Sequence, residues 1–193
     1  EAAVQVVAGI GVSSPAALVD AAFAALQGTK GESGDNLLAD PEPWTEAVEG
    51  AALLDELVAM IRRYVVVLDA AAVALALWIV HSWTCEVAAD CSPRLNVTGP
   101  SMRCGKSRVL EVLAGLVRRA FVLVDVTAAT LFRLIHKYRP TVLIDEWDAI
   151  PDEVKAAVRG IVNAGQRRGA MVPRCVGDEH EVELFDPFGP VAL

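Results

Sequence analysis

Cysteine and histidine are scarce in this chain, and neither is arranged to hold a metal. The four cysteines, Cys85, Cys91, Cys104 and Cys175, include no C-x-x-C pair, and none of the three histidines stands at finger spacing. Neither a zinc site nor a disulfide framework is indicated, so free thiols in a reducing cytoplasm are expected. Positive charge is also short: 17 Lys and Arg against 25 Asp and Glu leave a formal net charge of −8. That balance excludes broad, nonspecific coating of nucleic acid, though not a local basic patch. No basic segment precedes an apolar core at the start, so no signal peptide is expected. A long uninterrupted apolar run is missing too. The most apolar stretch, Tyr64 to Val80 (YVVVLDAAAVALALWIV), contains Asp69 and is followed at once by His81 and Ser82. A membrane span needs about 20 apolar residues without such a charge. No membrane partner is expected, and Asp69 is read as the N-cap of a buried helix.

What is present is a chain of 193 residues, 54 % hydrophobic and rich in alanine and valine, which suits a folded α/β protein. It opens on Glu1 and closes on Pro190-Val191-Ala192-Leu193, the start of a strand, so a longer parent protein is expected. Residues 1–44 read as an alanine-rich helical segment, with a helix from Ser13-Ser14-Pro15 to about Leu26, followed by a linker from Gly28 to Trp44 (GTKGESGDNLLADPEPW). Residues 45–92 read as a helical subregion packing on the core. Leu53, Leu54, Leu57, Val58 and Ile61 mark one helix face, Arg62-Arg63 close that helix, and a second helix runs from about Ala70 to Thr84.

From residue 93 onward, strand and helix periods alternate. Strands are expected at Arg94 to Thr98, Phe121 to Val124 and Thr141 to Asp145. Helices are expected at Lys106 to Val117, at Ala128 to Tyr138 with Thr127 as cap, and after Pro151. A hairpin follows over Met171 to Phe185, then a further strand from Gly189. The fold class is therefore α/β: a three-layer core around a mostly parallel sheet, preceded by an α-helical segment.

Residues 99–107, GPSMRCGKS, close on Gly105-Lys106-Ser107, the end of the phosphate-loop pattern G-x-x-x-x-G-K-[ST]. The strand before and the helix after are the context that pattern requires, because backbone N–H groups and the positive helix end must converge on phosphates. Pro100 holds the place of the first glycine. It lacks an N–H and fixes φ, so it alters the turn into the loop more than the donors from Arg103 to Ser107. Gly99 is read as a neighbour of the motif. The nucleotide-binding candidates are Pro100, Ser101, Met102, Arg103, Cys104, Gly105, Lys106, Ser107 and Arg108. Lys106 would reach the β- and γ-phosphates, and the Ser107 hydroxyl would ligate magnesium.

Thirty-nine residues after Lys106, the apolar strand Val142-Leu143-Ile144 ends in Asp145-Glu146. An aspartate at such a strand end holds magnesium opposite the loop serine. An adjacent glutamate is placed to polarise the attacking water as a general base. Asn163, Arg167 and Arg168 either face a phosphate or a neighbouring subunit, or simply close a solvated helix end. Arg133, Lys137 and Arg139 read as the solvent face of a helix, and the four tryptophans as core or interface.

The stretches SPRLNVTGPSMRCGKSRVLEVLAGL, ATLFRLIHKYRPTVLIDEWDAI and RGIVNAGQRRGA resemble an uncharacterised P-loop ATPase family of phage, plasmid and integrated-element proteins. That family often stands beside primase or helicase modules, is related to the AAA+ and virulence-associated-protein-E-like group, and tolerates proline where Pro100 stands. The resemblance covers residues 43–193. It implies ATP and magnesium as cofactors, a homo-oligomeric ring, DNA as the partner of the full-length protein, and helicase or translocase work in replication. A sensor and an arginine finger would lie beyond residue 193. The hairpin falls where such helicases insert one that touches DNA, although Asp178 and Glu179 at its tip would repel phosphate. A nucleotide-gated switch or scaffold with little hydrolysis is the alternative.

Overall fold

The computed structural model describes residues 38, 40, 41, 47–99, 104–124, 126–176 and 181–193. The helices and most of the linker expected before residue 38, the loop residues Pro100 to Arg103, and the hairpin tip from Gly177 to His180 lie outside the described residues. The chain divides into two compact units that interleave in sequence, residues 1–84 with 97–120, and residues 85–96 with 121–193.

In the first unit, α1 spans Gly50–Tyr64. It starts where the Glu49 carboxylate accepts the Ala51 and Ala52 N–H groups at 3.1 and 2.6 Å, bonds that hold this carboxyl below its ordinary value. It buries Leu53, Leu57, Met60 and Ile61, each contributing about 1.5–3 kcal/mol. Helix α2 spans Asp69–Ala88. Asp69 is its first helical residue rather than its cap: the Leu68 carbonyl already accepts the Ala72 N–H at 3.0 Å, and the Asp69 carboxylate pairs with Arg62 of α1. Helix α3, Lys106–Ala114, packs against α1. It ends three residues before the expected Val117, because Gly115 caps it and the Leu116 and Val117 N–H groups turn back to the Leu113 carbonyl.

Among the described residues, polar contacts tie the parts of this unit together. The Trp83 indole Nε1 donates to the Leu116 carbonyl at 2.9 Å, and the Arg118 N–H donates to Ser82 Oγ at 3.2 Å. Asp40 receives Arg118 and Arg119 together: each gives its Nε to Oδ1 and its Nη2 to Oδ2, at 2.6 to 3.0 Å.

The second unit is built on a parallel sheet. Strands β1 (Ala120–Leu123), β2 (Thr141–Ile144) and β5 (Val191–Ala192) lie in the order β1-β2-β5, and Leu95 adds a parallel bridge to Ala192 on the outer side of β5. Every residue of β2 is buried, as a strand covered on both faces demands. The Arg94 to Thr98 strand is reduced to that bridge because its partner β5 offers only two residues. Helix α4 (Ala128–Tyr138) opens with Thr127 Oγ1 accepting the Thr130 N–H at 3.2 Å. Helix α5 (Asp152–Ala164) follows Pro151 and ends at Gly165. Passing from β1 to β2 and from β2 to β5, the chain moves the same way across the sheet. Right-handed crossovers then put α4 and α5 on one face, and the two helices do pack together.

Strands β3 (Val172–Val176) and β4 (Glu181–Phe185) form the expected hairpin, pairing Val172 with Phe185 and Arg174 with Glu183. It docks on α4 through Phe185, whose ring meets Phe132 edge-on at 4.6 Å and His136 at 5.3 Å.

Candidate nucleotide-binding site

The phosphate-loop half of the candidate site lies in the first unit. Gly105 stands at the N-cap of α3 with φ 96° and ψ 14°. That left-handed conformation suits glycine and strains any other residue. A Cβ there would meet nothing within 4 Å, so the requirement is conformational rather than steric. Glycine also brings no side chain to cap the helix, and the first turn holds no acidic residue. Among the described residues of its own first turn, α3 carries no carboxylate to compete with an incoming anion. Lys106 is half-buried, Ser107 and Arg108 are exposed, and Arg108 pairs with Glu111 at 2.8 Å.

Gly99 has a part in the loop that its place in the sequence did not reveal. A Cβ built on it would overlap the Cys104 thiol and lie 3.9 Å from Cγ of Lys106. A side chain at 99 would therefore require the Cys104 thiol to move aside. Pro100, Ser101, Met102 and Arg103 fall outside the described residues. For Gly99 the sequence signal was the glycine itself, discounted because it stood one place early.

The carboxylate half lies in the second unit, at the carboxyl end of the buried strand β2. Asp145 still belongs to the ladder, its N–H donating to the Leu123 carbonyl at 2.9 Å. Its Oδ1 accepts the Glu146 N–H at 2.9 Å. Glu146 turns the chain with φ 54° and ψ 30°, a left-handed conformation in a non-glycine residue, and begins the 3₁₀ turn Trp147–Ala149. Such a conformation costs about 1–2 kcal/mol. Asp145 is half-buried and Glu146 exposed. Trp147 packs against the hydrophobic core of this unit, in line with the core reading.

Arg94 and Arg168 are the two buttresses of this unit. Arg94 gives Nε and Nη2 to the Val162 carbonyl at 3.0 and 2.6 Å and Nη1 to the Gly189 carbonyl. It thereby ties the end of α5 to the approach to β5, and burial pushes it down to about 10. Arg168 donates to the carbonyls of Cys85, Glu86 and Ala89 and lies 4.5 Å from the Phe188 ring centre. It clamps the end of α2, not the solvated end of its own helix that the sequence reading offered. Arg139 pairs with Asp186 at 2.8 Å. Arg133 and Arg174 stand 5.4 and 5.2 Å from the centre of the Phe132 ring.

The geometry defines a mixed α/β chain with a small parallel sheet, a glycine-initiated helix and a carboxylate pair at the end of the central strand. Comparison with protein-family models, with curated proteins and with solved structures returns no match.

Proposed function

We propose that the chain is a P-loop domain that binds ATP with magnesium and hydrolyses it, and that it serves as the motor of a DNA helicase or translocase in a phage or mobile-element protein. The observation that carries this reading is the edge of the parallel sheet. The Leu95 segment, β5 and β2 run parallel, so the Leu95 segment and β2 leave the sheet at the same carboxyl edge, where open α/β sheets bind ligands. In sequence, the Leu95 segment runs on into residues 99–107, and β2 runs on into Asp145-Glu146.

Ser107 and Asp145 supply a hydroxyl and a carboxylate, hard oxygen donors of the kind magnesium takes. Bound magnesium would neutralise charge developing on the phosphates. Lys106 holds the β- and γ-phosphates by charge, and the N–H groups from Gly105 to Arg108 cradle them. Glu146 takes the proton of the attacking water. On this reading, DNA and an oligomeric ring are partners of the longer protein.

The test is nucleotide binding and phosphate release on the purified chain, with and without single-stranded DNA. Lys106→Ala is expected to lose Mg-ATP binding, and Glu146→Gln to keep binding while turnover stops. No Mg-ATP binding by the parent chain would overturn the proposal. Binding without turnover, unaffected by DNA or by Glu146→Gln, would return the switch reading.

A further inference from the structure

Helix α4 carries no acidic residue in a chain whose formal net charge is −8. No Asp or Glu stands between Thr127 and Ile144, a stretch that holds Arg133, His136, Lys137 and Arg139. Arg133 and Lys137 are one helical turn apart, and both are exposed. The hairpin adds Arg174 to the same place. Its guanidinium and that of Arg133 stand 5.2 and 5.4 Å from the centre of one Phe132 ring, so the two charges lie within about 11 Å of each other and repel. Phe132 is only 2 % exposed, and stacking on a ring packed that firmly holds both heads in position.

Neither head is neutralised there. Arg139 spends its charge on Asp186, but none of the ion pairs among the described residues includes Arg133 or Arg174. Arg174 gives only Nη1, to the Pro173 carbonyl at 2.8 Å. Most of both guanidinium forks is therefore open, and their geometry matches phosphate oxygens. Glu183 stands opposite Arg174 in the hairpin register, with Glu181 two residues before it, so the positive strip ends one strand spacing, about 5 Å, beyond Arg174.

We infer that Arg133, Lys137 and Arg174 form a binding strip for the phosphate backbone of single-stranded nucleic acid. Two arginines at this spacing hold successive phosphates of one strand. The strip is one backbone wide, because the Glu181 and Glu183 carboxylates repel a second strand. A bilayer is disfavoured: Ala129, Thr130, Arg133 and Lys137, the exposed positions of α4, offer no large apolar side chain to insert. The inference deepens the nucleic-acid part of the proposed function and rests on that part alone, since the strip asks nothing of the phosphate loop or the carboxylate pair.

The test is fluorescence anisotropy of a labelled oligothymidylate of about 20 nucleotides, longer than one such site needs, titrated with the purified chain in EDTA and without ATP. Arg133→Gln with Arg174→Gln is expected to weaken binding at least about tenfold and to make the slope of log affinity on log salt shallower by about 1.4, two phosphates at about 0.7 each. Arg133→Lys with Arg174→Lys keeps the charges and is expected to keep that slope. Lys137→Gln alone is expected to cut it by about 0.7, and decides the matter should thermal melts show the arginine pair unfolded. Arg63→Gln with Arg159→Gln changes the net charge equally at residues outside the strip and is expected to bind as the parent does. No binding by the parent chain would overturn the inference. So would a loss in the Arg63 and Arg159 pair equal to that in the Arg133 and Arg174 pair, which would make net charge the cause. Capture by phosphatidylcholine–phosphatidylglycerol vesicles that depends on Arg133 and Arg174, with no oligothymidylate bound, would overturn it in favour of a membrane. Oligothymidylate binding that follows these expectations in a chain that fails to bind Mg-ATP would support the inference and overturn only the nucleotide reading.

Discussion

Gly105 and Glu146 occupy the same left-handed region of backbone space, at φ 96° and 54°, and meet its demand in opposite ways. The loop uses glycine, which enters that region freely. The strand end uses a glutamate, which does not, and holds it there with the bond from its own N–H to Asp145 Oδ1. A glycine at 146 would make an easier turn. Arg119 and Arg139 also hold positive φ, at 47° and 50°, so only a measurement on Glu146 separates a need for its side chain from a tolerated turn.

The comparison breaks most sharply in turnover. Glu146→Gln keeps the backbone and removes the base, and steady-state phosphate release should fall by about 10²–10⁴-fold with ATP affinity unchanged. Lys106→Ala should lower turnover by about 10²–10³-fold and weaken binding as well, measured by titration with a fluorescent ATP analogue. Stability then separates the two turns with opposite signs. Gly105→Ala should destabilise the fold by about 1–2 kcal/mol in urea unfolding, because nothing in the surrounding space relieves its backbone. Glu146→Gly should stabilise it by about 0.5–1 kcal/mol while abolishing turnover. A stabilised Glu146→Gly variant that still hydrolysed ATP would refute the view that strain is retained there for chemistry.

The smallest effect lies away from both turns, at Asp40. Burial pushes its carboxyl up, but the Arg118 and Arg119 bonds and charges more than offset this and hold it below its ordinary 3.8. Its contribution is therefore complete above that value and drains away as the pH falls through the lower folded value. Thermal melts between pH 5 and pH 2 should show a shallower acid decline in Asp40→Asn than in the parent.

Local signals were the legible ones. Thr127 capping α4, Pro151 opening α5, and the apolar run of β2 each depend on residues within a turn or two, and each stands where the sequence placed it. What escaped depends on partners far along the chain. The end of α2 at Ala88 rather than Thr84 is held by Arg168, 83 positions from Cys85. Asp69 was diverted from capping by Arg62 on another helix. The strand at Arg94 shrank to one bridge because its partner is two residues long. In the site, Gly105, Lys106, Asp145 and Glu146 could be nominated from spacing alone. The crowding of Gly99 by Cys104 could not, since it arises only once the loop has closed.

Arg94 sets a timetable for synthesis. Its carbonyl partners lie 68 and 95 positions downstream, so a nascent chain that has just made this arginine has nowhere to place it. At ribosomal speeds of about 5–20 residues per second, the last partner arrives roughly 5–20 s later. During that interval the Leu95 segment has no β5 to pair with.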